Sequence, residues 1–229
     1  MPDQTGSNEQ TGPNELAAVL FDMDGLLVDT EPLWFETEGE VIARLGGGDW
    51  AKEDQERLLG GSMENTVSYL LAKATRPVPP ADIARWMMDG MLERAAEGRV
   101  IVRPGVRELL AEIAAVGLPC ALVTGSQRPF TEAVLASTGF RFAVTVTGDD
   151  VTRNKPDPEP YRLAAKLLDT DPGTCVALED SPNGVASATA AGCRVVAVPS
   201  LVPIPPAPGR LVVPSLREVT LETLRALAA

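Results

Sequence analysis

AAVLFDMDGLLVDTEPLW, residues 17–34, sets an unbroken apolar run directly against three acidic residues, Asp22, Asp24 and Asp29. A short run that is apolar at every position reads as a strand buried on both faces, which is the habit of a parallel sheet. Asp22 and Asp24 then stand where the strand ends, and Gly25 permits a sharp turn that brings both carboxyl groups out at one rim. Carboxylates held this close repel one another and resist desolvation, so a cation or a proton must compensate them.

Working outward, the pattern repeats. LAAVLF, CALVTG, FAVTVTG, TCVALE and RVVAV read as strands, and helical periodicity fills 105–116, 128–138, 158–168, 183–191 and 216–228. Alternation of this kind predicts an α/β fold: a Rossmann-like parallel sheet with helices on both faces. Four strands end in polar or small residues (FDMDG, LVTGS, VTGDD, ALEDS), and such sheets carry their sites at the carboxyl ends of the strands. Residues 31–100 break the alternation with helical periodicity interrupted by glycine and proline turns, which predicts a small all-helical cap inserted after the first strand. The expected division is a disordered polar leader over 1–15, a catalytic core over 16–30 and 101–229, and the cap over 31–100. The crossings near 30–33 and 99–105 would serve as hinges, and the proline-rich stretch 199–209 reads as a surface loop.

The net charge of −12, without a basic cluster, argues against nucleic acid and against an anionic membrane surface as partners. No apolar run approaches the roughly 20 residues that cross a bilayer, so a cytoplasmic location is expected. Cys120, Cys175 and Cys193 are far apart and embedded in apolar runs, which suits buried free thiols. The chain has no histidine, which removes His-ligated zinc and Ser-His-Asp triads. Its chemistry has to run on carboxylates, hydroxyls and lysine.

Three further stretches supply those groups. Glu179 and Asp180 close the strand in VALEDS and, with Asp22, form an all-oxygen donor set that suits a hard cation, magnesium being preferred where a phosphate adds oxygens. Taken alone, Glu179-Asp180-Ser181 reads equally well as a helix cap. Thr124-Gly125-Ser126 precedes a helix and can cradle an anion with a hydroxyl and backbone N–H groups, although such residues cap helices generally. Lys155, in RNKPDPEPY, lies between a strand and a helix, where a lysine is either solvated or a point charge for a transferring phosphoryl group.

FDMDGLLVDTEP, LVTGS, NKPDPEPY and ALEDSPNGV, in that order over residues 17–200, resemble the four motifs of the haloacid dehalogenase-like hydrolase superfamily, in its branch of phosphatases and β-phosphoglucomutase-like enzymes with a helical cap. The resemblance implies that Asp22 is the nucleophile, forming an aspartyl phosphate, and that Asp24 is the general acid and then the base. It implies Mg2+ held by Asp22, the Asp24 carbonyl and Asp180, with Glu179 as ligand or support, and phosphate binding by Thr124, Gly125 and Lys155. The cap loop GGSMENT would place Gly60, Ser62 and Met63 against the substrate.

The mutase pattern has a lysine where this chain has Leu59, an arginine where it has Met63 and a histidine where it has Trp34. These departures favour a phosphomonoester hydrolase acting on a small phosphorylated metabolite, a sugar or polyol phosphate, over a sugar-phosphate mutase. A non-catalytic phospho-ligand binding protein is the third reading. The acidic surface and self-contained core point to a monomer.

Overall fold

In the computed structural model, residues 15–58 and 63–229 are described. The expected leader, apart from Glu15, lies outside the described residues, as do Leu59, Gly60 and Ser62 of the expected cap loop.

The chain runs β1 (Ala18–Phe21), β2 (Val28–Asp29), α1 (Glu31–Arg44), α2 (Lys52–Glu56), α3 (Met63–Lys73), α4 (Pro80–Ala96) and β3 (Ile101–Val102). It continues through α5 (Val106–Ala115), β4 (Cys120–Val123), α6 (Arg128–Thr138), β5 (Val144–Val146), α7 (Glu159–Leu167) and β6 (Cys175–Glu179). The last elements are α8 (Pro182–Ala191), β7 (Arg194–Ala197), β8 (Arg210–Val212) and α9 (Leu221–Ala228). Six strands form a sheet in the order β5-β4-β1-β6-β7-β8, parallel throughout. The order reverses at β1, which lies between β4 and β6 and so ends at the switch point where open α/β sheets bind their ligands.

Alternation along the strands builds two core layers. Val19, Phe21, Leu122 and Leu178 face Leu109 and Ile113 of α5, Phe130 and Val134 of α6 and Leu224 of α9. Ala18, Leu20, Ala121 and Ala177 face Tyr161 and Ala164 of α7 and Val185 and Ala188 of α8. Each fully buried large apolar side chain contributes about 1.5–3 kcal/mol relative to exposure. The cysteines are free, Cys175 and Cys193 buried and Cys120 half-buried.

Helices α1, α3 and α4 pack on a separate cluster that includes Ile42, Leu45, Leu70, Ile83 and Met87. Buried Arg94 of α4 bridges Glu36 and Glu40 of α1. The two crossings to this helical segment lie side by side, because β2 and β3 pair as an antiparallel ribbon and Arg103 N–H donates to the Leu27 carbonyl at 2.9 Å.

Three features depart from the sequence expectation. The final helix does not begin at 216: Leu216–Glu218 forms one 3-10 turn, Val219 is extended, and Thr220 caps a shorter α9 by accepting from Thr223 N–H. β8 and the β2–β3 ribbon were not expected, being too short to show a period.

Candidate active site

The carboxyl ends of β1, β4 and β6 bring Asp22, Asp24, Thr124, Lys155, Glu179 and Asp180 together. Asp22 follows β1, its N–H donating to the Leu178 carbonyl at 3.0 Å, and its side chain is buried. Lys155 Nζ donates to Asp22 Oδ1 at 2.5 Å, to Glu179 Oε1 at 2.7 Å and to the Val123 carbonyl at 2.8 Å, which uses all three ammonium protons. Asp22 Oδ2 is buried with no partner among the described residues.

Glu179 is fully buried and saturated. Oε1 accepts from Lys155 and from Tyr161 Oη at 2.8 Å, while Oε2 accepts from the N–H groups of Asp180 and Ser181 and from Ser181 Oγ. A carboxylate has about four lone-pair sites, so Glu179 spends its capacity on orienting Lys155 and the turn. Asp180 Oδ2 accepts from Ser200 Oγ at 2.5 Å. Asp24 is held between two segments: Thr30 Oγ1 donates to Oδ1 and Ser126 Oγ to Oδ2, each at 2.7 Å, with Thr124 Oγ1 at 3.4 Å. The Gly125 carbonyl accepts from Asn154 at 3.3 Å. Of the residues expected to contact substrate, Met63 is half-buried against the hydrophobic cluster of the helical segment, and Gly60 and Ser62 lie outside the described residues.

The electrostatics follow from burial. Desolvation raises the Asp22 carboxyl well above its ordinary value; Lys155 opposes this, and Glu179, Asp180 and Asp24 reinforce it. Burial, then the charge of Glu179, brings Asp180 to about 7. Burial alone would lower the Lys155 ammonium, but Asp22 and Glu179 outweigh it and hold Lys155 above the usual lysine range. The site therefore carries more carboxylates than its one ammonium compensates. One carboxylate oxygen from each of Asp22, Glu179 and Asp180 lies within 4.8 Å of the others. Glu179 is saturated, so within that cluster Asp22, with its unpartnered Oδ2, and Asp180 are the carboxylates that fit a hard divalent cation.

Two glycines make the close packing possible. Gly25 has φ +87°, and a Cβ there would fall 2.0 Å from Asp180 Oδ2. A Cβ on Gly184 of α8 would fall 1.7 Å from Glu179 Oε1. Gly184→Ala must displace a buried carboxylate held by five donors, so it is expected to lower stability by about 2 kcal/mol or more and Tm by at least roughly 4 °C. Thermal denaturation of the variant beside the parent checks this.

Comparison with known proteins gives the family. The model of the haloacid dehalogenase-like hydrolase family matches residues 19–198. The chain belongs to the haloacid dehalogenase-like hydrolases. It is 37% identical over 194 residues to Protein CbbY of Cereibacter sphaeroides, covering 80% of this chain and 84% of that one. It is 34% identical over 191 residues to hexitol phosphatase B of Escherichia coli K12, covering 82% and 86%. The crystal structure of CbbY from Rhodobacter sphaeroides in complex with phosphate superposes with a TM-score of 0.81 at 33% identity, covering 91% of this chain and 99% of that one. A β-phosphoglucomutase-like structure from Thermotoga maritima gives 0.73 at 28% identity, covering 88% and 95%. Within the family the chain is an enzyme of the phosphatase branch.

Sequence reading missed Tyr161, Ser200 and Gly184, and the bonds of Thr30 and Ser126 to Asp24. Tyr161, Gly184, Thr30 and Ser126 lie inside quoted motifs, and all but Gly184 offered a hydroxyl as a signal; Tyr161 and Ser200 act through contacts that span 18 and 20 residues of chain.

Proposed function

We propose that the protein is a magnesium-dependent phosphomonoester hydrolase that acts on a sugar or polyol phosphate through an aspartyl-phosphate intermediate. The observation that carries this reading is the buried, unpartnered Asp22 Oδ2 at the switch point, with Lys155 fixed on the other oxygen of the same carboxylate. Asp22 attacks phosphorus, an oxygen–phosphorus bond forms, and the ester P–O bond breaks in line. Asp24 gives its proton to the departing alkoxide and then takes one from the water that attacks the aspartyl phosphate, releasing phosphate and restoring Asp22. Thr30 and Ser126 position Asp24 from opposite sides. Thr124 Oγ1, the Gly125 N–H and Lys155 bind phosphoryl oxygens.

Asp22, the Asp24 carbonyl and Asp180 would hold Mg2+, with Glu179 in support. The ion supplies charge neutralisation to the phosphoryl oxygens and to the attacking carboxylate. Helices α1 to α4 form the cap, and the β2–β3 ribbon carries its two hinges. Hexitol phosphatase B, by its name, and the crystal structure of CbbY in complex with xylulose-(1,5)bisphosphate support small phosphorylated carbohydrates as the substrate class.

The test is phosphate release from a panel of hexose 1-phosphates, hexose 6-phosphates and polyol phosphates, with magnesium and with EDTA. Stoichiometric, magnesium-dependent release is expected. Interconversion of hexose 1- and 6-phosphates without release would replace hydrolysis by mutase chemistry.

A further inference from the structure

Asp180 is clamped at two points by one residue that none of the four motifs contains. Ser200 Oγ donates to Asp180 Oδ2 at 2.5 Å, and Ser200 N–H donates to the Asp180 carbonyl at 3.3 Å. The clamp is itself fixed from both sides. The chain leaving β7 runs on beside the end of β6, where Val198 N–H donates to the Glu179 carbonyl at 2.7 Å, and Pro199 then restricts the backbone next to Ser200. Four residues beyond Ser200, Ile204 is buried in the core layer that faces α7 and α8.

The far side of Asp180 Oδ2 lies against the backbone of Gly25: a Cβ there would fall 2.0 Å from Oδ2 and 3.0 Å from Ser200 Oγ. Gly25 directly follows Asp24, so Oδ2 is wedged between the serine hydroxyl and the turn that carries the Asp24 carbonyl. The other oxygen, Oδ1, takes no hydrogen bond among the described residues. Asp22 shows the same division, with Oδ1 engaged by Lys155 and Oδ2 unpartnered. Each of the two carboxylates that suit the cation therefore has one oxygen tied to a protein donor and one left over.

That division bears on the choice of ion. Mg2+ requires near-octahedral geometry with short bonds, whereas Ca2+ accepts more ligands at longer distances and takes carboxylates through one oxygen or both. A donor held on Oδ2 removes the second oxygen of Asp180 from any bound ion. We infer that Ser200 is a positioning residue that restricts Asp180 to ligation through Oδ1 and thereby biases the site toward Mg2+ over Ca2+. The inference rests on the magnesium reading proposed above and adds what selects the ion.

The experiment measures Kd for Mg2+ and for Ca2+ by titration calorimetry on the metal-free parent and on Ser200→Ala, with the Tm of each in EDTA. Loss of a donor that orients a metal ligand typically weakens metal binding about 10–100-fold. In Ser200→Ala, Mg2+ affinity should fall about tenfold or more while Ca2+ affinity holds or rises, so that the ratio of the two Kd values shifts about tenfold or more toward Ca2+. Both ions are read on the same folded protein, so a general loss of stability cancels in that ratio. An unchanged ratio, or one that moves toward Mg2+, overturns the inference whatever the Tm, because Ser200 then serves only the packing of its loop. A parent that binds neither ion overturns the magnesium reading and this inference with it; a parent that binds both, with a variant of the same ratio, overturns this inference alone.

Discussion

Asp22→Asn is expected to lower kcat by roughly 10⁴-fold or more and, in the metal-free protein, to raise Tm. The loss follows from the proposed mechanism, in which an amide could not form the aspartyl phosphate, and no other carboxylate at the site combines an unpartnered oxygen with contact to Lys155. The gain follows from what the carboxylate costs the fold. Desolvation of Asp22 is the largest influence on its acidity and exceeds the attraction of Lys155, so the charged form is destabilised where it sits. Asparagine keeps the shape and removes the charge, and Lys155 retains Glu179 and the Val123 carbonyl. A gain of about 1 kcal/mol, or roughly 2–4 °C, is expected. Phosphate release and thermal denaturation in EDTA check the two parts separately. A lower Tm would mean that the Asp22–Lys155 pair outweighs desolvation.

What the sequence discloses and what it hides divide along physical lines. The strand ends carrying Asp22, Thr124 and Glu179-Asp180 are legible because a strand buried on both faces must be apolar throughout, so the first polar residue marks its exit. Lys155 is legible as a charge in a proline-fixed loop, but its three acceptors come from β1, β4 and β6 and appear only when the sheet closes. Tyr161 looks like an ordinary apolar residue of an amphipathic helix, and its hydroxyl matters only because α7 lays it on Glu179. Gly184 looks like a weak point in a helix, whereas it is where α8 approaches a buried carboxylate. The β2–β3 ribbon is two residues on each strand and falls below any detectable period. Local pattern therefore gives the sheet and the rim, while the supports of the site depend on packing between segments far apart in the chain.

Removal of the metal is expected to bring phosphate release to background, with recovery on adding magnesium, and to leave a protein whose stability falls as pH rises from about 4 to about 7. The sign follows from the two aspartates. Burial raises Asp22, and burial with Glu179 raises Asp180 from the ordinary 3.8 to about 7. In the unfolded chain both ionise near their ordinary values, so above pH 4 the unfolded state has lost protons that the folded state retains. Stability present below that pH is lost as pH climbs toward the folded values. A divalent cation binds the ionised carboxylates and must displace those protons, so its affinity rises over the same interval. At 100 times its Kd the ion adds about 2.7 kcal/mol, roughly 5–11 °C in Tm. The Tm difference between saturating magnesium and EDTA should therefore be larger at pH 8 than at pH 5, and Asp180→Asn should flatten that dependence while weakening magnesium binding. An equal increment at both pH values would mean that the cation is held by groups already ionised at pH 5, and the buried Asp22–Asp180 pair would not be its site.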